Sequence, residues 1–239
     1  MKSSSDIKKN AKETIAIELA AIAKLESSIN DNFVSVINLI LSAQGRLIVA
    51  GIGKSANIAN KMVATFNSTG QPAIFLHAAD AIHGDLGNIQ NGDVVICISK
   101  SGNTPEVKAL VPFIKSMGNK IIALTGNTKS FLAKESDFTL DVSVEQEACP
   151  NNLAPTSSTT AQLVMGDAIA TSLLACKDFS DKDLKLIPDI TEKDIIVGFS
   201  HRMPLMFGLD GILKKLSSDK PPEFIGMGGD HQEGPFDMM

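Results

Sequence analysis

Five short runs rich in Val, Ile and Leu recur along the chain and constrain its fold more than any other feature. They cover 46–51, 72–77, 93–99, 120–126 and 137–144. The runs are nearly continuous in apolar residues, which is typical of strands buried on both faces of a parallel sheet. Helix-patterned segments alternate with several of the runs. The sequence therefore predicts the α/β class, with a doubly wound parallel sheet flanked by helices.

Helical periodicity fills much of the remaining chain. Apolar residues from about Lys12 to Leu41 recur every three or four positions, which predicts one long helix or two consecutive helices that stop at Gly45. Further helices are predicted over 55–69, 105–117 and 158–176. Beyond the last helix the sequence becomes rich in charged residues, Pro and Gly. We therefore expect one domain over 1–180 and a partly helical or loop-like extension over 181–239.

Composition narrows the possible partners. The formal net charge is −5, no basic run occurs, and Trp and Tyr are both absent, so we expect no binding of nucleic acid. Three widely spaced cysteines form neither a disulfide framework nor a zinc site, so we expect no metal and a reduced, cytoplasmic location. The N-terminus lacks the apolar core of a signal peptide, and no apolar run reaches ~18 residues, so no membrane association is expected.

The segment Gly51 to Ser55 (GIGKS) follows the first strand and opens a helix. Ligands of doubly wound sheets bind beyond the carboxyl ends of the strands, and a helix N-terminus with an added lysine attracts anions. The spacing Gly51-x-Gly53-x-x-Ala56 also matches a loose dinucleotide fingerprint, so an NAD-dependent enzyme stays an alternative. A P-loop is excluded because Ile48 stands where that motif requires glycine.

The segment Ser99 to Thr104 (SKSGNT) follows the third strand. Three hydroxyl side chains and a glycine at the start of a helix can surround a phosphate group. Alternatively, Thr104 and Pro105 form an ordinary capped helix start. A cap needs a single hydroxyl, so the three hydroxyls favour the phosphate site.

Two further loops place polar residues near strand ends. The first is His83 to Gly87 (HGDLG), whose histidine is either catalytic or an ordinary loop residue. The second is Glu145 to Thr160 (EQEACPNNLAPTSSTT), where carboxylates precede a Ser/Thr run and an apolar helix. A lone Glu is usually a surface residue and a Ser/Thr run can serve only as a helix cap. Their position at the end of a strand favours a functional role.

Together, GIGKS, HGDLG and EACPNNLAPTSSTT, followed by AQLVMGDA over 161–168, resemble the sugar isomerase (SIS) domain. The similarity is specifically to the arabinose-5-phosphate isomerase family and covers about residues 11–180. It implies a five-stranded parallel sheet and a homotetramer with sites shared between subunits. It also implies reversible conversion of D-arabinose 5-phosphate into D-ribulose 5-phosphate, without metal or coenzyme, on the route to Kdo in bacterial surface polysaccharide.

The resemblance also implies which residues form the site. The catalytic residues are Lys54, His83, Glu106 and Glu147, and the phosphate-binding residues are Gly53, Ser55, Ser99, Ser101, Gly102 and Thr104. Isomerisation moves a proton between C1 and C2 through an enediolate, so we expect Glu147 or Glu106 to be the base, with a pKa raised by burial. Lys54 and His83 are expected to stabilise the oxyanion.

Two departures from the family pattern are visible. Longer members carry a pair of CBS modules after the catalytic domain, so we expect a stand-alone form. The family's His-Pro-Gly-Gly segment is replaced by Leu-Ile-Pro-Asp at 186–189. Either His201 or, as the named candidate, His231 substitutes for the missing histidine, or the step proceeds without one, or catalysis is lost. A non-catalytic sensor of sugar phosphates or sugar nucleotides, and an isomerase of another phosphosugar, therefore remain alternatives.

Overall fold

The computed structural model describes residues 3–177, and the structural statements below concern that part of the chain. The expectations for 181–239, including His201 and His231, lie outside the described residues. The helices are α1 (Ser4–Leu25), α2 (Asp31–Ser42), α3 (Lys54–Ser68), α4 (Ala78–Ile82), α5 (Pro105–Ser116), α6 (Phe131–Glu135) and α7 (Ser157–Cys176). The strands are β1 (Leu47–Gly51), β2 (Ala73–His77), β3 (Val94–Ser99), β4 (Lys120–Thr125) and β5 (Phe138–Asp141).

All five strands pair in parallel, in the order β2-β1-β3-β4-β5. This confirms the predicted five-stranded parallel sheet. Strand β1 pairs with both β2 and β3, so the direction of winding reverses between β1 and β3. Crevices at such switch points, beyond the carboxyl ends of the strands, are where ligands bind in doubly wound sheets. The loops that follow β1 and β3 are therefore brought side by side at the expected place.

Both faces of the sheet are covered, as the continuous apolar runs require. Val49 and Ile96 face a core built with α2, α3 and α7, where Phe66 is completely buried. Ile48 and Cys97 face the opposite side, against α4, α5 and α6. Successive strand residues point to opposite faces of the sheet, and both faces are covered. The strand sequences therefore show no polar face and no alternation of apolar and polar residues.

The predicted first helical segment is two helices, separated by a 3-10 turn at Glu26–Ser28. Helix α1 begins well before the predicted start, because Ser3 and Asp6 form a capping box with reciprocal side-chain to backbone hydrogen bonds. Asn30 caps α2 by accepting a hydrogen bond from the backbone N–H of Asn32 at 2.9 Å. The early turns of α1 are polar, so apolar periodicity alone could not reveal them.

Gly45 does not stop α2, which ends three residues earlier. The backbone N–H of Gly45 donates to the carbonyl oxygen of Gly92 at 3.1 Å. A Cβ atom added to Gly45 would lie 2.5 Å from Oδ1 of Asp93. Glycine is therefore required by the close approach of two loops at the amino edge of the sheet, and the helix-stop interpretation is wrong.

The short helices α4 and α6 were not predicted. Each has five residues, little more than one turn, so neither carries a periodic apolar pattern. None of the helices in the described part of the chain combines the length and apolar character that crossing a bilayer requires.

Candidate active site

A cavity of about 270 Å³ opens beyond the carboxyl ends of β1 and β3. Its walls come from the two loops that follow these strands and from the first turns of α7. Its volume suits a small polar ligand, since pockets for drug-sized ligands measure about 300–1,000 Å³. The polar lining residues are Lys54, Ser55, Ser99, Lys100, Ser101, Thr104, Ser158, Thr159 and Gln162.

The loop after β1 reaches the cavity through a sharp glycine turn. Gly53 adopts φ 59° and ψ −127°, a conformation that residues with a Cβ rarely adopt, and α3 begins at the next residue. Among residues 3–177, no side chain caps this helix start. The Ser55 hydroxyl donates to Oε1 of Gln162 at 3.2 Å and so ties α3 to α7 across the cavity. The free end of α3 and the ammonium of Lys54 both favour an anion here.

The loop after β3 holds its hydroxyl groups by bonding them to each other. The oxygens of the Ser99 and Thr104 side chains lie 2.7 Å apart, and the N–H of Gly102 donates to the Ser99 hydroxyl at 3.1 Å. Although Thr104 occupies the N-cap position of α5, its side chain makes no capping hydrogen bond within the described chain. The alternative that these hydroxyls serve only to cap a helix therefore does not describe the loop.

Gly102 is the residue on which the shape of this loop depends. Its φ is +62°, and an added Cβ would overlap the side chain of Ser130 and lie 2.9 Å from Oγ1 of Thr125. Both the backbone conformation and the space exclude other residues. The tight turn places Ser99 and Ser101 on the cavity wall.

Glu147 lies just behind the cavity wall, with its side chain completely buried. Its Oε1 accepts hydrogen bonds from Nζ of Lys100 and Oγ of Ser158, each at 2.5 Å. Its Oε2 accepts from the backbone N–H groups of Thr156 at 2.8 Å and Ser158 at 3.1 Å, and from the Thr156 hydroxyl at 3.2 Å. These five bonds fill the acceptor capacity of the carboxylate.

The protonation of Glu147 differs from the expectation for a general base. Burial raises the pKa of this carboxyl group, but the hydrogen bonds from Lys100, Ser158 and Thr156 outweigh burial and lower the pKa to about 2. The prediction that burial raises the pKa of Glu147 is therefore wrong. Burial alone would raise the pKa, but the donors that surround the carboxylate decide the direction of the shift.

The structure brings five of the predicted residues together on one cavity. These are Lys54, Ser55, Ser99, Ser101 and Thr104. Gly53 and Gly102 lie in the same two loops and shape them.

The other three predicted catalytic residues do not line this cavity. His83 is exposed directly after α4. Glu106 is half-buried in the first turn of α5, two residues beyond Thr104. Glu147 is separated from the cavity by Lys100 and the start of α7.

Four polar lining residues were not predicted as site residues: Lys100, Ser158, Thr159 and Gln162. Lys100 lies between two serines of the phosphate motif, and its positive charge was the available signal. Gln162 is a polar residue near the start of α7, and it is only 1% exposed. A buried amide in a helix is a signal of polar contacts, but the sequence alone does not reveal its partner. Within residues 3–177, no three His, Cys, Asp or Glu side chains come together as a metal site requires.

Comparison with known proteins agrees with this architecture. Residues 40–172 match the family described as the SIS domain. "Arabinose 5-phosphate isomerase KdsD" of Francisella tularensis is 51% identical over 177 residues, which cover 73% of this chain and 54% of the relative. "Probable arabinose 5-phosphate isomerase" of Haemophilus influenzae is 49% identical over 175 residues, covering 73% and 52%. The chain thus spans about half the length of these curated relatives.

A solved structure extends the comparison to three dimensions. The protein c3406 of E. coli CFT073, solved in complex with arabinose 5-phosphate, is 40% identical and superimposes with a TM-score of 0.74. The match covers 77% of this chain and 98% of that one. With a family match over more than half of the chain and this degree of identity, the chain belongs to the SIS domain family.

Proposed function

We propose that this chain is an aldose–ketose isomerase that interconverts D-arabinose 5-phosphate and D-ribulose 5-phosphate. The observation that carries the proposal is the cavity at the β1/β3 switch point, where hydroxyl groups and lysines converge on the free ends of two helices. The names of the curated relatives support the choice of the five-carbon sugar. The product would serve the synthesis of Kdo and surface polysaccharide, as the family resemblance implies.

The substrate phosphate occupies the part of the cavity between the loops after β1 and β3. Hydroxyl groups of Ser55, Ser99, Ser101 and Thr104 line this part. The N-termini of α3 and α5 add partial positive charge and backbone N–H donors. Such a subsite holds the sugar by its non-reacting end and places C1 and C2 for proton transfer.

The reaction needs one base and one group that stabilises negative charge. A base removes the proton at C2, the enediolate forms, and a proton returns at C1 while the hydroxyl proton at C2 passes to the oxygen at C1. The aldehyde is thereby reduced while the neighbouring alcohol is oxidised within one molecule. Lys54 lines the cavity and is assigned to the enediolate oxygen. Of the two candidate bases, Glu106 is favoured, because both oxygens of Glu147 are already occupied by donors.

A homotetramer with sites shared between subunits is part of this proposal. His83 and Glu106 do not line the cavity of their own chain, so a neighbouring subunit is a natural place for their action. Apolar side chains of α1 are exposed and available for contact between subunits: Ile7, Ile15 and Leu19. Size-exclusion chromatography with light scattering measures the mass, and a monomer of 25.3 kDa would contradict the shared site.

A cytoplasmic location is also proposed. The three cysteines Cys97, Cys149 and Cys176 are all free thiols, which is usual in a reducing compartment.

The test of the proposed reaction is direct. Purified protein, treated with chelator, is incubated with D-arabinose 5-phosphate, and the appearance of D-ribulose 5-phosphate is followed by ¹³C NMR. The Lys54→Met variant is expected to lower kcat by ~10²–10³-fold. Lys61→Met, which changes a surface lysine on the same helix, serves as the matched control.

The same experiment separates the alternatives. Conversion of another phosphosugar in preference to arabinose 5-phosphate would change the substrate but keep the reaction. Binding of arabinose 5-phosphate without conversion would favour a non-catalytic sensor of sugar phosphates. That second candidate is favoured by one observation, the position of three predicted catalytic residues away from the cavity.

A further inference from the structure

Lys100 forms an ion pair with the buried carboxylate of Glu147 at the edge of the cavity. Its Nζ lies 2.5 Å from Oε1 of Glu147. The two side chains differ sharply in exposure, at 49% for Lys100 and 0% for Glu147. Lys100 also lines the cavity, between the two phosphate-motif residues Ser99 and Ser101. One end of this ion pair is therefore accessible to a ligand and the other is not.

Glu147 is a fixed point rather than a mobile counter-ion. Its other four hydrogen bonds come from Thr156 and Ser158, which are the residue before α7 and the second residue of that helix. Movement of the carboxylate would leave backbone N–H groups at the start of α7 without an acceptor. The position of the Lys100 ammonium is set by this network. A lysine in water, in contrast, samples many rotamers, and their loss opposes ligand binding.

We propose that Lys100 is a further ligand of the substrate phosphate and that Glu147 is its positioning residue. An ammonium group has three N–H donors, and Glu147 accepts one of them, so donors remain for a ligand in the cavity. The inference deepens the proposed function, because it takes the phosphate of that substrate as the ligand. It also gives Glu147 a role that requires no free carboxylate oxygen.

The charges in the cavity agree with this assignment. The negative charge of Glu147 is shared between Lys100 and the N–H groups at the start of α7, so it does not fully cancel the ammonium. Lys54 supplies a second cation from the opposite loop. A phosphate dianion between these loops thus meets one lysine from each side of the switch point.

The experiment measures the affinity for inorganic phosphate by isothermal titration calorimetry, so it does not depend on turnover. Lys100→Met is expected to weaken phosphate binding by about tenfold to a hundredfold, because a charge-assisted hydrogen bond is lost. Lys100→Arg keeps the charge and is expected to retain most of the affinity. Lys108→Met, which removes an exposed lysine of α5 outside the cavity, is the matched control and should bind like the wild type.

Glu147 is tested through its dependence on Lys100. Glu147→Gln is expected to weaken phosphate binding in the wild-type chain but to have no further effect in the Lys100→Met chain. Equal losses in both chains, unchanged affinity of Lys100→Met, or a wild type that binds no phosphate would each overturn the inference. Circular dichroism establishes whether each variant is folded. If Glu147→Gln does not fold, the Lys100 variants alone decide the outcome.

The two proposals fail in different ways. A wild type that binds phosphate through Lys100 but converts no phosphosugar would contradict the isomerase and leave Lys100 as a phosphate ligand. A wild type that isomerises arabinose 5-phosphate while Lys100→Met keeps full phosphate affinity would contradict only the role of Lys100.

Discussion

The side-chain oxygens of Ser99 and Thr104 lie 2.7 Å apart, so the hydroxyl at the end of β3 bonds to the hydroxyl before α5, and Thr104 does not cap the helix. This pair stands between the end of β3 and the first turn of α5. Since each hydroxyl retains acceptor or donor capacity, the pair presents a preformed polar surface to a ligand. Under the proposed function this surface belongs to the phosphate subsite.

Replacement of Thr104 by Val tests this surface. The change keeps the shape of the side chain but removes its hydroxyl, so we expect arabinose 5-phosphate to bind about tenfold more weakly. Thr104→Ser retains the hydroxyl and is expected to keep the affinity within about threefold. Calorimetric titration measures both, and equal affinity of the Val and Ser variants would remove Thr104 from the site.

Gly102 and Gly118 allow a matched test of backbone and packing. Both have positive φ, of +62° and +79°, but an added Cβ meets Ser130 at Gly102 and nothing within 4 Å at Gly118. Gly118→Ala is expected to lower the free energy of unfolding by about 1–2 kcal/mol, the cost of a left-handed conformation. Gly102→Ala is expected to cost about 3 kcal/mol or more, since steric overlap adds to that term. Urea denaturation compares them, and equal losses would contradict the packing argument.

Asp93 links stability to pH at the amino edge of the sheet. Burial raises the pKa of Asp93, but Arg46 and the backbone N–H groups of Gln90 and Arg46 outweigh burial and lower it below the usual value. A lowered folded-state pKa stabilises the protein above about pH 4, and this contribution is lost as pH falls through the folded-state pKa.

Asp93→Asn should therefore cost about 2 kcal/mol at pH 7 and make stability less dependent on pH as the pH falls below about 4. Asp85→Asn changes an exposed carboxylate and is the control. The measurement is the free energy of unfolding by urea at several pH values. A pH dependence in Asp93→Asn equal to that of the wild type would show that Asp93 is not the group responsible.

The cysteines differ in expected reactivity. Hydrogen bonds from the backbone N–H groups of Ala154 and Leu153, both at 3.1 Å, lower the pKa of Cys149. Burial in the centre of the sheet raises the pKa of Cys97 to about 12. Because the thiolate is the nucleophile, iodoacetamide at pH 7 should alkylate Cys149 while Cys97 stays unmodified until the protein unfolds. Peptide mass spectrometry over time measures both, and early labelling of Cys97 would contradict this order.

The sheet could be predicted because its signal is local. Strands such as β3 (Val94–Ser99) are buried on both faces and therefore read as apolar runs. That the hydroxyls of the loop after β3 share one cavity was predictable for a similar reason, since Ser99, Ser101 and Thr104 are close together in sequence. The first turns of α1 could not be predicted, because a capping box of Ser3 and Asp6 stabilises them and apolar spacing does not mark them.

The ion pair of Lys100 and Glu147 could not be predicted from local sequence patterns. The two residues are 47 positions apart and meet only when the loop after β3 lies beside the start of α7. The direction in which the pKa of Glu147 shifts depends on the same assembly. Burial and hydrogen bonding act in opposite directions, and only the number and geometry of the donors decide between them.

The carboxylate of Glu147 already occupies the N-terminus of α7, where it accepts from the N–H groups of Thr156 and Ser158. Of the three long helices that begin at the cavity, only α3 and α5 therefore keep an unfilled end for an incoming anion. For the proposed substrate this predicts a single orientation, with the phosphate end toward β1 and β3. The Glu147 carboxylate thus occupies a helix N-terminus where another anion could otherwise bind, and the cavity therefore differs in charge from one side to the other.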